Sequence, residues 1–224
     1  MGKRVYGPKP KAFSAKRFKK RGVTKKSFGL GQRVTTKLCY CEYPFVVDSD
    51  VGGIGDEYIF SANGLYDPNI SGTGHQPAGF DQLHTFFDHH VVLGSRITVE
   101  MRNNDATYAQ ICTLRLTDTP GEEVDPKVII ENGRCKWKII DPAGAGKNDM
   151  ATLTMACNPA KFLGRANAMS DPDLKGSASN NPTEQCYWAV GVAPTTAVDG
   201  GSVQCVAIIE YTVAFIEPKV LALS

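Results

Sequence analysis

The residues best suited to chemistry in this sequence are its four histidines, which all fall within sixteen residues. Two aspartates lie among them, so the segment offers imidazole and carboxylate groups that could bind a divalent metal ion. The spacing does not form HExxH, and no histidine follows further along the chain. We therefore predict no catalytic site, no metal and no cofactor here, and we expect capping, loop hydrogen bonds and subunit contacts from His75, Asp81, His84, Asp88, His89 and His90.

Cysteine is the next reactive residue type, and the chain has seven. The number is odd and no CxxC pair occurs, so neither a zinc ribbon nor a thioredoxin-type motif is present. Most of the cysteines alternate with apolar residues, which predicts small buried apolar side chains. Cys39 and Cys41 would face the same side of a strand. The full set is Cys39, Cys41, Cys112, Cys135, Cys157, Cys186 and Cys205.

Positive charge is concentrated at one end of the chain. Residues 1–37 contain thirteen of the 25 Lys and Arg residues and no acidic residue. The remaining chain has twelve basic residues against 23 acidic ones, a net charge of −11. Such asymmetry indicates a tail that binds a polyanion. The predicted nucleic-acid-binding residues are Lys3, Arg4, Lys9, Lys11, Lys16, Arg17, Lys19, Lys20, Arg21, Lys25, Lys26, Arg33 and Lys37.

The basic arm, residues 1–32, has few aliphatic residues, several glycines and prolines, and high like charge. We expect it to be disordered alone, because it cannot bury enough apolar surface to offset its ordering entropy. Neutralised phosphates would release counterions whatever the base sequence, and four interspersed aromatic residues could stack on unpaired bases. KRFKKRG also resembles a nuclear localisation signal. A solubilising tail and a membrane-surface arm are the alternatives.

The elements that would position these groups are mainly strands with period-two alternation. RITVEM, for example, alternates Ile97, Val99 and Met101 with polar residues, as a half-buried strand does. CVAIIEYTVAFI predicts a central strand covered on both faces, and Pro44 predicts a strand end or bulge. Residues 79–90 predict one short amphipathic helix, and residues 159–164 a second helical turn. The predicted strands are 34–47, 57–61, 91–103, 107–117, 134–140, 151–157, 185–193 and 203–216.

This pattern predicts an all-β protein with one domain at residues 33–224. Long crossing connections alternate with short hairpins, which favours an eight-stranded antiparallel jelly roll, a β-sandwich, over an up-and-down barrel. Trp137 and Trp188 alternate with apolar neighbours and are expected in the core or an interface. No apolar run of transmembrane length and no secretory signal is present, so we expect a cytosolic or nuclear location without membrane insertion.

The segment 59–103, IFSANGLYDPNISGTGHQPAGFDQLHTFFDHHVVLGSRITVEMRN, resembles capsid proteins of small circular single-stranded DNA viruses that encode a replication-initiator protein. The resembling features are the FSANGLYDPN turn after a short strand, GTGHQPAGFDQ, the aromatic helix and VLGSRITVEM. The wider resemblance extends from the basic arm to the last strand.

This resemblance implies a coat protein, not an enzyme, with a single jelly roll and a basic arm that faces the packaged genome. It implies a homo-oligomeric icosahedral T=1 shell of about sixty copies. The expected partner is single-stranded nucleic acid, with DNA favoured over RNA, and the expected locations are the virion and the host nucleus. Coats of small RNA or satellite viruses, a cellular nucleic-acid-binding protein with a basic tail, and a jelly-roll metal enzyme remain alternatives. A further alternative is that Asp67, Asp81 and Asp88 bind calcium between subunits of the shell.

Overall fold

The computed structural model describes residue 2 and residues 31–49, 55–121, 124–146, 148–196 and 201–220. The predicted disordered arm therefore lies almost entirely outside the described residues, and its disorder stays a prediction. Among the described residues, no helix is long and apolar enough to cross a membrane.

Within the described residues, nine strands form two antiparallel sheets. The first sheet has the order β1-β9-β3-β6, with β7 paired to the beginning of β3, and the second has the order β2-β8-β4-β5. The strands are β1 Arg33–Asp48, β2 Asp56–Ser61, β3 Phe87–Asn103, β4 Gln110–Thr117, β5 Cys135–Ile140, β6 Met150–Cys157, β7 Lys175–Ser177, β8 Tyr187–Pro194 and β9 Ser202–Pro218.

This strand order is that of a jelly roll. Consecutive strands mostly pass from one sheet to the other, and the last long strand, β9, returns to lie between β1 and β3. Two Greek keys in two packed sheets define the jelly-roll fold. The predicted eight-stranded jelly roll is confirmed, with the three-residue β7 as an addition.

The core lies between the two sheets and follows the predicted alternation. Ile97, Val99 and Met101 are fully buried, whereas Arg96 and Glu100 on the same strand are exposed. Each large apolar side chain buried in this way contributes roughly 1.5–3 kcal/mol to folding. The largest fully buried side chains include Trp188, Tyr40, Tyr211 and Phe60.

Strand β9 is central as predicted, but only one part of it is covered on both faces. Residues 213–216 are all buried, because segment 158–177 packs over the first sheet there. The earlier half of β9 alternates, and Ile208 is 41% exposed on the outer face. The prediction of two covered faces, made for residues 205–216, is therefore wrong for residues 205–212.

The predicted helix at residues 79–90 is much shorter in the structure. Helix α1 spans Phe80–His84, and Phe87 already begins β3, where it pairs with Pro218. The spacing of the aromatic residues fits a helix up to Phe87, but a turn at residues 85–86 reverses the chain into the sheet. The last two histidines are consequently on a strand, not on a helix.

Two further short helices lie in the connections. Helix α2, Pro126–Glu131, falls between the predicted strands 107–117 and 134–140, where no helix was predicted. The Asp125 carboxylate accepts a hydrogen bond from the Lys127 backbone N–H at 2.9 Å. Helix α3, Pro159–Phe162, confirms the predicted helical turn. Pro44 lies at a register shift in β1, which confirms the predicted bulge.

Candidate nucleic-acid interface

Two of the thirteen predicted nucleic-acid-binding residues lie in the described part of the chain. Arg33 begins β1 opposite Ile216, and Lys37 lies opposite Thr212. Alternation along β1 turns both side chains outward, and both residues are exposed. The other eleven residues, from Lys3 to Lys26, lie outside the described residues. The structure therefore places only Arg33 and Lys37 of the predicted set, both at the outer face of the first sheet.

Two further arginines share the open outer face of the first sheet with Lys37. Arg96 and Arg102 are exposed on β3, on the polar side of the alternating segment. Among the described residues, no carboxylate forms an ion pair with these three cations. The alternation in the sequence predicts that the side chains of Arg96 and Arg102 point out of the core. Only the strand order shows that they lie on the same face of the first sheet as Lys37.

This face is only weakly basic. Glu100 and Glu210 are also exposed on it, and Glu210 lies directly opposite Arg96. The face can therefore supplement phosphate contacts made by the arm, but its own charge does not replace them.

Two other cations of the described body, Arg165 and Lys175, are paired with carboxylates. Arg165 lies 3.2 Å from the Glu184 carboxylate and also pairs with Asp171 and Asp173. Lys175 donates a hydrogen bond to Glu217 at 2.9 Å. These residues fasten the long connection between β6 and β8 and are not free for phosphates.

The FSANGLYDPN segment organises a connection and does not form a catalytic group. Asn63 donates to the Glu184 carbonyl at 2.9 Å and accepts from the Cys186 backbone N–H at 3.0 Å. Gly64 lies so close to Asn181 that a Cβ would come within 2.6 Å of its amide carbon. These asparagines and the glycine therefore lock residues 61–69 against the loop before β8.

A second polar cluster joins the same connection to β1. Asn69 donates to Glu42 at 3.1 Å and to the Tyr58 hydroxyl at 2.7 Å, and Tyr40 donates to the same carboxylate. Burial, followed by the hydrogen bond to Glu42, raises the pKa of the Tyr40 hydroxyl far above its ordinary value. His75 stacks on Tyr40 with ring centroids 4.8 Å apart. The cluster is a closed network that fixes the loop.

Neither a protein-family model nor a curated protein sequence matches the chain. Similar solved structures include a nodavirus particle of the giant freshwater prawn Macrobrachium rosenbergii (10% identity, 98% of this chain, 97% of that chain, TM-score 0.46). Others are the decameric BFDV capsid protein (10%, 83%, 99%, TM-score 0.45) and Turnip Yellow Mosaic Virus (13%, 86%, 98%, TM-score 0.43). Because these TM-scores are below 0.5, the fold assignment rests on the strand order and not on these similarities.

Two of the predicted histidines form a buried pair. His84 Nε2 and His90 Nδ1 are 2.9 Å apart, and the His84 Nδ1 faces the Phe87 carbonyl at 3.2 Å. A carbonyl only accepts, so Nδ1–H of His84 donates to it, and Nε2 of the neutral ring accepts from His90. His90 Nε2 then keeps a lone pair, has no hydrogen-bond partner among the described residues, and packs against Gly176.

Burial lowers the pKa of His90 to about 3 and also lowers the pKa of His84. The titratable groups around the pair are Lys219, Asp81 and His89. Because the folded pair resists protonation, the unfolded chain binds more protons below the ordinary histidine pKa of about 6.5. The pair therefore contributes stability above that pH and loses it as the pH falls towards 3.

We expect the free energy of unfolding to fall between pH 6.5 and 5 by up to about 1.4 kcal/mol per pH unit through His90, and His84 should add a change of the same sign. His90→Gln should flatten this dependence, whatever its own cost in stability. The measurement is urea denaturation at several pH values. His89→Gln is the control: His89 lies outside the pair, and burial, the main cause of the low pKa of His90, stays in this variant, so the slope should remain steep. An unchanged slope in His90→Gln would contradict the assignment.

The remaining reactive residues do not assemble a site. No group of three or more His, Cys, Asp or Glu residues among those described could hold a metal ion. All seven cysteines are free, and the sulfur atoms of buried Cys157 and Cys186 are 3.8 Å apart. Cys39 and Cys41 face the same side as predicted, but they are exposed, so their predicted burial is wrong. Their register places them on the outer face of β1, opposite Glu210 and Ile208.

Proposed function

We propose that the chain is a viral coat protein that assembles into a small icosahedral shell and packages single-stranded nucleic acid. The observation that carries this proposal is the separation of charge: residues 1–37 hold thirteen cations and no acid, and the remaining jelly-roll body has a net charge of −11. An acidic body stays soluble and does not compete for phosphates, whereas a basic arm neutralises a polyanion.

The finer proposal is a T=1 shell of about sixty copies that contains circular single-stranded DNA. Support comes from the resemblance of segment 59–103 to capsid proteins of circular single-stranded DNA viruses. The structure gives this segment a definite task, because its asparagines and glycines fix the connection from β2 to β3. KRFKKRG would direct the free subunit to the host nucleus, and the assembled protein is a component of the virion.

Purified full-length protein is expected to form uniform closed particles at neutral pH, far larger than the 24.2 kDa subunit. Subunit contacts in such shells are of the obligate kind, which typically bury more than about 2,000 Å² each. Light scattering and electron microscopy measure the result. Protein that remains a monomer at micromolar concentration across salt and pH would contradict the proposal.

The coat of an RNA virus would show the same charge separation, because phosphate contacts do not distinguish the two nucleic acids. Sequencing the nucleic acid protected inside particles made in infected cells separates the two. Nuclease-resistant circular DNA supports the finer proposal, and protected RNA replaces it with the alternative.

A further inference from the structure

Strand β5 carries an exposed apolar surface on an otherwise acidic body. Trp137 is 51% exposed and Ile139 is 48% exposed. In register, Ile139 lies opposite Ile111 and Trp137 opposite Thr113, so all four share the outer face of the second sheet. We name Trp137, Ile139 and Ile111 the β5 patch.

The sequence around this patch, RCKWKII, interleaves cations with an aromatic residue and so suggests a platform on which unpaired bases stack. The structure separates these groups. Lys136 and Lys138 lie opposite Leu114 and Cys112, two fully buried core residues, and therefore point away from the indole. Lys138 Nζ donates to the Met150 carbonyl at 3.0 Å.

The cation on the same face is also engaged. Arg115 donates two hydrogen bonds of 2.6 Å to the Glu57 carboxylate, and its side chain is only 12% exposed. Arg134, which precedes the strand, lies over the Phe162 ring with its guanidinium carbon 5.0 Å from the centroid. Among the described residues of β4 and β5, Ile111, Thr113 and Ile139 share the face of the indole, and the one cation on that face, Arg115, is already paired. This arrangement suits a protein surface better than a phosphate backbone.

Backbone pairing with another strand is also disfavoured at this edge. β5 is the last strand of its sheet, so one edge of it has no partner strand. Lysines that point inward along such an edge strand, as Lys136 and Lys138 do, oppose the addition of a further strand. A partner would therefore dock on the outer face through side chains, with Trp137 as the anchor. Tryptophan is enriched among the residues that dominate interface energies.

From this arrangement, we infer that the β5 patch is a contact surface for a second copy of this chain. The inference rests on the proposed function and adds to it the surface through which copies meet. Lys136 and Lys138 do not lie on the face of the patch, but both are exposed along the adjoining edge of β5, whereas residues 38–224 of any neighbouring copy carry a net charge of −11. An apolar patch beside a basic strand edge is complementary to such an acidic neighbour.

Trp137→Ser tests the inference in the full-length protein. Loss of an anchor residue typically costs an interface about 2 kcal/mol or more, so assembly should begin only at a concentration about 30-fold higher. Ile208→Ser is the matched control, since Ile208 is exposed to a similar degree on the outer face of the other sheet. Light scattering over a concentration series gives the onset of assembly, and near-ultraviolet circular dichroism checks that both variants are folded.

The expected result is delayed assembly of Trp137→Ser, normal assembly of Ile208→Ser, and wild-type affinity of both for a labelled single-stranded oligonucleotide. Assembly of Trp137→Ser at the wild-type concentration would overturn the inference and leave the proposed function standing. An equal defect in both variants would overturn it too, because the effect would not be specific to β5. Loss of oligonucleotide affinity with normal assembly would instead make the indole a base-stacking platform. Wild-type protein that never assembles would refute the proposed function itself.

Discussion

Deletion of residues 1–26 is expected to remove most nucleic-acid binding while the jelly-roll body remains folded. The deletion takes away eleven of the thirteen arm cations and leaves β1, which begins at Arg33, intact. The core between the two sheets consists of residues from Leu38 onward, so its packing does not require the arm. Circular dichroism and thermal unfolding of the truncated protein check that the body is folded.

The salt dependence of binding gives the sharpest measure of this change. For single strands, the logarithm of the binding constant falls with the logarithm of salt concentration at a slope of about −0.7 per neutralised phosphate. If half of the arm cations engage, the intact protein has a slope of roughly −4 to −5, with little preference among base sequences. The truncated protein keeps Arg33 and Lys37 of the predicted residues, which give a slope of about −1.4, and Arg96 and Arg102 on the same face could at most double it, to about −2.8.

Fluorescence anisotropy with a labelled oligonucleotide across a salt series provides the comparison. Two controls show whether the change in slope comes from the charge of the arm, from the length of the chain, or from cations elsewhere in the protein. Replacing the eleven arm cations by glutamine in the full-length chain should reproduce the truncation, whereas Lys136→Gln with Lys138→Gln should keep the wild-type slope. Truncated protein that binds as tightly, with an unchanged slope, would move the binding surface onto the acidic body.

The sequence predicts the strands of this fold well because most of them bury one face. On β3, three fully buried residues alternate with Arg96, Thr98 and Glu100. This period-two pattern can be read from the sequence of the strand alone. The long connections then favour the jelly roll that the strand order confirms, but the predicted short hairpins are wrong, because β3 and β4, which residues 104–109 join, lie in different sheets. The short β7 was missed, since three residues carry no detectable period and form a strand only by pairing with β3.

The errors occur where long-range packing decides the structure. Phe87 continues the helical spacing of α1, yet it is the first residue of β3 because it pairs with Pro218, far along the chain. Cys39 alternates with apolar residues as a core residue would, but the register of β1 turns it outward. A local pattern shows that two faces differ; it does not show which face another segment covers.

The candidate nucleic-acid interface also has one part that the sequence alone predicts and another that depends on the strand order. Charge along the chain was enough to predict the basic arm, because a run without acids needs no fold to be recognised. The contribution of Arg96 and Arg102 to the same outer face as Lys37 depends on β9, which lies between β1 and β3. Likewise, RCKWKII looks like a stacking platform until the register places its lysines and its tryptophan on opposite sides.

Arg115→Met is expected to destabilise the body by about 3–5 kcal/mol, because it leaves the Glu57 carboxylate buried without its partner. The Arg115 guanidinium reaches from β4 across β8 to Glu57 on β2, and the two side chains are only 12% and 3% exposed. Gly191 of β8 permits this crossing, since a Cβ there would come within 2.5 Å of Thr113 Oγ1 and 3.5 Å of Glu57 Cγ. The pair thus ties together two strands that share no backbone hydrogen bonds in the sheet order.

The double variant Glu57→Leu with Arg115→Met should regain much of the lost stability, because an apolar pair of similar size leaves no charge buried. Arg165→Met is the matched control, because the Arg165 guanidinium pairs with carboxylates on the protein surface, Glu184 among them. Such exposed ion pairs contribute only about 0–1 kcal/mol to the free energy of unfolding. Equilibrium urea denaturation of each variant, with the slope checked for constancy, gives the free energies. A loss in Arg115→Met no greater than in Arg165→Met would mean that water reaches Glu57 in the folded protein. A double variant as unstable as Arg115→Met would show instead that the lost stability comes from the packing of the arginine stem across β8 and not from an unpaired carboxylate.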